Sequence, residues 1–248
     1  MQTSPCGSEP QGETVRVGEV LVLSVTHGPS VPGGIFDEVV EAAGHVLERW
    51  SVPEGGTPAP ARRYGAVMVF GGSMHPDQDD QFAWLEREEE FLQEVLAEHI
   101  PVFGVCLGAQ MLARAAGAKV GPASAPEIGW LDVGLTPAGE ADPVLGALPQ
   151  HATVFQWHHY TFEVPTGGAE LARSAVCPQA FRLAQPAWGI QFHAEVTLPM
   201  LTAWAEEDPD DLPMSVEALR AESEERIARS TDQGRALCEA FLGEAAAR

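Results

Sequence analysis

The segment Pro101–Leu112, PVFGVCLGAQML, most narrows the folds open to this chain. An apolar run, Val102-Phe103-Gly104-Val105, meets a cysteine, and the helical spacing of Leu107, Met111 and Leu112 starts at once. Gly104 and Gly108 lie two residues either side of Cys106. That is the plan of a buried strand turning sharply into a helix with a nucleophile at the turn. Such a turn leaves no room for side chains on the flanking positions, so both take glycine. It also sets the thiol at a helix N-terminus, where free N–H groups and the macrodipole favour the thiolate. A thiolate attacks carbonyl carbon readily near neutral pH. An inert cysteine at a strand-to-helix junction would read the same way, so the rest of the chain has to decide.

Around this elbow the pattern is alternating. Val20–Val25 is a continuous apolar run, which suits a strand buried on both faces of a parallel sheet. Ile35–Ala43 carries helical spacing, His45–Val52 reads as a second strand, and Ala66–Phe70 as a third that runs into Gly71-Gly72-Ser73. From Gln81 to His99 a helix is expected, with Trp84, Leu85, Phe91, Leu92, Val95 and Leu96 on its apolar face. Glu86, Glu88, Glu89 and Glu90 mark its solvated side. Between Lys119 and Phe192 the texture changes to strands punctuated by Gly and Pro: EIGWLDVGL, HATVFQWHHYTF, ELARSA, QAFRLA and AWGIQF. These are expected to add antiparallel strands to the parallel sheet. Thr197–Glu206 reads as a helix. The expected fold class is therefore α/β: three layers, a mostly parallel central sheet, helices on both faces, antiparallel strands appended. Residues 1–17 read as a flexible leader and 18–248 as one domain. Its helical C-terminal segment, 214–248, either covers the sheet or serves a partner.

Composition removes several function classes. With 36 acidic against 14 basic residues the net charge is −22, and no basic stripe exists to displace counterions from nucleic-acid phosphate. No stretch approaches the roughly 20 apolar residues of a membrane span, and the first residues lack the basic and apolar regions of a secretory signal. Cys6, Cys106, Cys177 and Cys238 are widely spaced, with no C-x-x-C pair, which points away from a zinc site or a disulfide framework and toward a reducing cytoplasm. His158 and His159, adjacent on a strand, would face opposite ways and make a poor metal pair. His75 with Asp77, Asp79 and Asp80 reads as a solvated loop beside the active site rather than a ligand cluster.

Two further stretches carry chemistry. Trp188–Glu195, WGIQFHAE, ends a strand on His193 with a carboxylate, Glu195, two residues on. A cysteine nucleophile needs a base to take its proton and an acid to return it, and the imidazole needs a group to orient it. Gly71-Gly72-Ser73-Met74 closes a parallel strand, where backbone N–H groups can point at a developing oxyanion.

GGSM, GVCLGAQML and WGIQFHAE, in this order, together resemble the class I (triad-type) glutamine amidotransferases. The likeness is nearest to the glutaminase domain of GMP synthase and its free-standing single-domain relatives. EIGW at Glu127–Trp130, QWHHY at Gln156–Tyr160 and SAVCPQAFRL agree with it. The resemblance implies a flavodoxin-like fold and, by position, a set of roles. Cys106 would attack the side-chain amide of glutamine to give a γ-glutamyl thioester and ammonia. His193 would shuttle the proton, and Glu195 would hold His193. The N–H groups of Gly72 and Leu107 would form the oxyanion hole. Gly71, Gln110, His159 and Tyr160 would contact the substrate. No cofactor or metal is implied, because water resolves the thioester. Three positions depart from the family: Ala194 for proline in the His–Glu turn, which loosens that turn, Ala109 for histidine, and Ser73 for proline. The residues after Glu195 are too few for a fused ATP-using domain, so a separate ammonia-accepting synthetase is one expectation. A γ-glutamyl peptidase or hydrolase is a second, and a non-catalytic regulatory subunit is a third.

Overall fold

The structure is a computed structural model that describes residues 19–248; the expected leader 1–17 and Cys6 lie outside them. Nine strands form one sheet. They are β1 (Leu21–Thr26), β2 (Val46–Ser51), β3 (Ala66–Val69), β4 (Val102–Val105), β5 (Val120–Leu135), β6 (His151–Phe162), β7 (Ala169–Arg173), β8 (Pro178–Arg182) and β9 (Ala187–Ile190). Their order across the sheet is β2-β1-β3-β4-β9-β8-β7-β5-β6. The first five in that order run parallel, and the rest continue antiparallel. The helices are α1 (Gly34–Ala42), α2 (Trp84–Ala97), α3 (Leu107–Ala115), the single turn α4 (Pro137–Glu140), α5 (Leu198–Glu207) and α6 (Val216–Ala246).

The parallel strands alternate side chains between two cores, as the period of two requires. Ala66 and Met68 of β3 join Phe36, Val40, Leu237 and Phe241 of α1 and α6, whereas Val67 and Val69 join Leu85, Leu92 and Leu112 of α2 and α3. A third core, Trp130, Phe155, Met200, Leu201, Trp204 and Leu219, fills the space between the antiparallel end and helices α5 and α6. Thr197 and Ser215 start these two helices by accepting the Met200 and Ala218 N–H groups on their side chains. The C-terminal segment therefore covers the sheet: Leu237, Cys238, Phe241 and Leu242 are buried against it.

Three expectations need correction. AWGIQF is not an antiparallel addition: β9 pairs in parallel with β4, Val102↔Ala187 through Val105↔Ile190, and lies in the middle of the sheet. A run of four apolar or glycine residues has no face preference, so its pattern carries no direction. EIGWLDVGL belongs to a longer strand, β5, of 16 residues, whose pairing with β6 shifts register between Pro122 and Glu127. The proline and alanine residues before Glu127 hid its first half. Glu88 is not solvated; it is fully buried at a core position of α2 between Leu85 and Leu92. A carboxylate is tolerated there because a cationic partner meets it, His27, with Nε2 2.9 Å from Glu88 Oε2.

Candidate active site

Cys106 occupies the junction of β4 and α3 with φ +52° and ψ −110°, backbone that side chains other than glycine rarely adopt. Strain of this kind costs on the order of 1–3 kcal/mol and persists only where the surroundings enforce it. They do so here. A Cβ on Gly104 would lie 2.6 Å from the Gly108 carbonyl oxygen, and one on Gly108 would lie 2.1 Å from that of Val69. Both flanking positions must be glycine for α3 to sit this close to the sheet. The Gly108 N–H donates to Phe70 O at 3.1 Å and the Cys106 N–H to Ile190 O at 2.8 Å, which ties the elbow to both neighbouring strands.

Because β9 flanks β4, the residues after Ile190 arrive beside the thiol. The His193 N–H donates to Phe155 O at 2.8 Å, and its ring packs edge-on against Trp204 with centroids 4.9 Å apart. Nδ1 donates to Glu195 Oε1 at 2.8 Å; a carboxylate only accepts, so the Nδ1 proton is assigned and Nε2 is left for Cys106. Burial alone would lower the His193 pKa, but the Glu195 carboxylate and Cys106 outweigh it and raise it to about 10. Cys106, His193 and Glu195 are thus brought together, all three buried. The turn that carries His193 and Glu195 is held despite Ala194 standing where proline was expected. The Ile35 N–H at the start of α1 donates to Glu195 O at 2.9 Å, and Gly234 of α6 lies against the Ala194 carbonyl.

The remaining expected residues also converge. Gly71 backs onto His193 and Cys106, since a Cβ there would lie 2.9 Å from His193 Cε1 and 3.8 Å from Cys106 Cβ. Gly72, Leu107, Gln110, His159 and Tyr160 line one cavity of about 530 Å³ with Cys106 and His193. The Gln110 Nε2 donates to Tyr160 O at 2.9 Å and to Gln191 Oε1 at 3.1 Å, so Oε1 is the atom it can offer a ligand. His159 and His158 do face opposite ways. His159 points out, with Nε2 2.9 Å from Asp211, while His158 is buried with Nε2 3.4 Å from Glu127 Oε2. The loop of His75 lies beside the cavity as expected, and the His75 ring stacks on Tyr160 at 4.0 Å on the cavity wall.

Sequence reasoning passed over Gln191, whose Nε2 lies 3.7 Å from Cys106 Sγ, and His27, whose Nδ1 lies 2.9 Å from Gly71 O. Each follows an apolar parallel strand at its C-terminal end, the position at which sites gather in such sheets. Glu127, His158 and Cys177 form the one close acidic–histidine–cysteine group among the described residues. Burial pushes the Cys177 thiol up to about 11, so it stays a donor. Glu127 Oε2 accepts from Cys177 at 3.3 Å, Ser174 at 3.1 Å and Gln179 at 2.7 Å, and burial's upward push on its pKa is outweighed by the nearby His158 ring together with the hydrogen bonds from Ser174 and Cys177. The group works as a hydrogen-bonded brace between β5, β6 and β8.

A cysteine elbow at the carboxyl edge of a doubly wound sheet, beside a carboxylate-paired imidazole, defines a flavodoxin-like α/β protein of the thiol-elbow type. The profile of the glutamine amidotransferase class-I family matches residues 39–202, and the chain belongs to that family. It is 27% identical over 180 residues, 70% of this chain and 75% of the relative, to YfeJ, a glutamine amidotransferase-like protein of Salmonella typhimurium. It is 32% identical over 133 residues to one of the subunits of the glutamine-hydrolysing GMP synthase of Pyrococcus abyssi, covering 52% of this chain and 65% of that relative. The crystal structure of a glutamine amidotransferase from Thermotoga maritima superposes with a TM-score of 0.83 at 27% identity, over 90% of this chain and 98% of that one. Among the described residues no helix is long and apolar enough to cross a membrane.

Proposed function

We propose that this chain hydrolyses the side-chain amide of glutamine through a γ-glutamyl thioester on Cys106 and releases ammonia for an acceptor on a separate synthetase. The observation that carries this reading is the strained Cys106 elbow set beside His193, itself bonded to Glu195 at 2.8 Å. The thiol proton is held on His193 Nε2 as Sγ bonds to the amide carbon. The oxyanion forms against the Gly72 and Leu107 N–H groups, two donors preorganised in a buried pocket. Collapse breaks the C–N bond, and the amine leaves with the proton from His193. His193 then takes a proton from water, which attacks the thioester and frees glutamate and the thiol. Throughout, the Glu195 carboxylate favours the imidazolium that appears at each proton transfer.

A second reading, a γ-glutamyl peptidase or hydrolase, is favoured by the cavity itself. About 530 Å³ lies within the range of pockets that hold drug-sized ligands, which leaves room beyond a free amino acid. Both readings use the same residues and differ in the leaving amine. The test is ammonia and amino-acid release by the purified full chain, with glutamine and a panel of γ-glutamyl dipeptides in parallel, beside Cys106→Ala. Turnover confined to glutamine supports the amidotransferase reading, and higher kcat/KM on a dipeptide supports the hydrolase. Turnover that survives Cys106→Ala refutes the mechanism. A chain that turns over none of these substrates and is not labelled at Cys106 by a γ-glutamyl electrophile is a non-catalytic subunit.

A further inference from the structure

The fully buried pair of His27 and Glu88 has no part in that scheme, yet it touches the backbone on which the scheme depends. His27 follows β1 as Gly71 follows β3, and the parallel register Val25↔Val69 brings them side by side. The His27 ring lies between two groups that only accept: Gly71 O, 2.9 Å from Nδ1, and the Glu88 carboxylate, 2.9 Å from Nε2. Both ring nitrogens must then carry protons, so the ring is an imidazolium held by Glu88. In agreement, burial lowers the His27 pKa, but the Glu88 charge together with the hydrogen bonds to Glu88 and to the Gly71 and Phe70 backbone outweighs it, and the net shift is upward. Trp84 stacks on the ring with centroids 5.6 Å apart and keeps it in place.

Gly71 O and the Gly72 N–H belong to one trans peptide unit and point in opposite directions. Fixing the carbonyl toward His27 therefore turns the Gly72 N–H away from the ring, and Gly72 lines the same cavity as Cys106 and Leu107. No backbone partner within the described chain takes that N–H. Glycine is the residue most free to rotate its peptide, and two in succession would leave this donor undirected. We infer that His27, held by Glu88, is the positioning residue that sets the Gly71–Gly72 peptide and so makes the Gly72 N–H a donor to the oxyanion. The inference rests on the proposed thioester chemistry and names a part of it that neither the motifs nor the relatives assign.

The experiment compares the full-length wild type with His27→Phe, His27→Asn and Glu88→Gln, on whichever γ-glutamyl amide the wild type turns over. A second readout is the rate at which iodoacetamide alkylates Cys106, a displacement at carbon that develops no carbonyl oxyanion. His27→Phe removes the donor, and kcat is expected to fall about 10²-fold, the cost of losing one oxyanion donor. KM should stay within about threefold and alkylation within about twofold, because substrate binding and the thiol–imidazole pair are untouched. His27→Asn returns an amide donor near the Nδ1 position and should recover kcat to within about tenfold of wild type. Glu88→Gln keeps size and fold but removes the charge that holds both protons on His27, and should lower kcat without slowing alkylation. If His27→Phe does not fold, this variant decides. A folded His27→Phe with wild-type kcat, a change confined to KM, or alkylation falling in step with kcat would each overturn the inference. A wild type whose turnover does not need Cys106 would instead refute the thioester chemistry, a failure read directly from the Cys106→Ala control.

Discussion

Gly234 sits inside α6, and helix propensity alone says that alanine there should stabilise the chain by up to about 1 kcal/mol. The structure reverses the sign. A Cβ at Gly234 would lie 2.0 Å from the Ala194 carbonyl oxygen, where real Cβ contacts essentially never fall below 3.0 Å. Helix or turn must yield by about 1 Å, and the atom in the way is backbone, which cannot swing aside as a long side chain does. Overpacking of this kind costs about 1–3 kcal/mol, so Gly234→Ala should be neutral to destabilised by roughly 2 kcal/mol after the propensity gain. For a chain of this size that lowers Tm by up to about 8 °C. The displaced turn also carries His193 and Glu195, and a misplacement of about 1 Å at the reacting groups costs on the order of 10²-fold in rate. The measurement is a thermal melt beside kcat/KM on the same preparation. A rise in Tm with kcat/KM within threefold of wild type would show that α6 does not hold the His–Ala–Glu turn.

Other outcomes follow from single contacts. The His193 pKa is raised to about 10, so its imidazolium persists through neutral pH and is lost as pH rises through that value. Activity that needs the protonated ring should show an alkaline limb near there, and Glu195→Gln, which removes the neighbouring charge, should move the limb down by about 1–3 pH units in a kcat/KM profile. A limb that stays put would remove Glu195 from this role. Phe241 is fully buried, with ring centroids 5.5 Å from Phe103 and 6.0 Å from Trp188. Phe241→Ala should cost about 3–5 kcal/mol in urea unfolding; a loss under 1 kcal/mol would mean that the cavity collapses or that α6 is not docked.

Much of this site was legible because its parts are local. The Cys106 elbow needs glycine at 104 and 108 for steric reasons that act within a few residues, and Gly71-Gly72 announces itself at a strand end. His193 and Glu195 lie two residues apart, so their 2.8 Å contact is a near-neighbour matter. What escaped notice is non-local. The parallel direction of β9 depends on which strand it meets, and four apolar residues do not encode that. Glu88 sits among other glutamates in α2, and only the arrival of His27 from 61 residues away explains its burial. Gly234 reads as a weak helix position until the Ala194 carbonyl is placed against it. Composition and periodicity report what a residue prefers on average, whereas these three report what one particular neighbour demands.

The position of β9 between β4 and β8 has a consequence for how the chain comes into being. The thiol and the amide that approaches it, Cys106 and Gln191, are 85 residues apart along the chain, and parallel pairing across such a span is slow to form. During synthesis Cys106 emerges well before His193, and in the proposed chemistry it would gain that base only when β9 inserts and the helices that follow close over the turn. Topology thus acts as a safety catch. A half-made chain would carry Cys106 without His193 beside it, so that in the proposed chemistry maturation of the fold and arming of the thiol are one event.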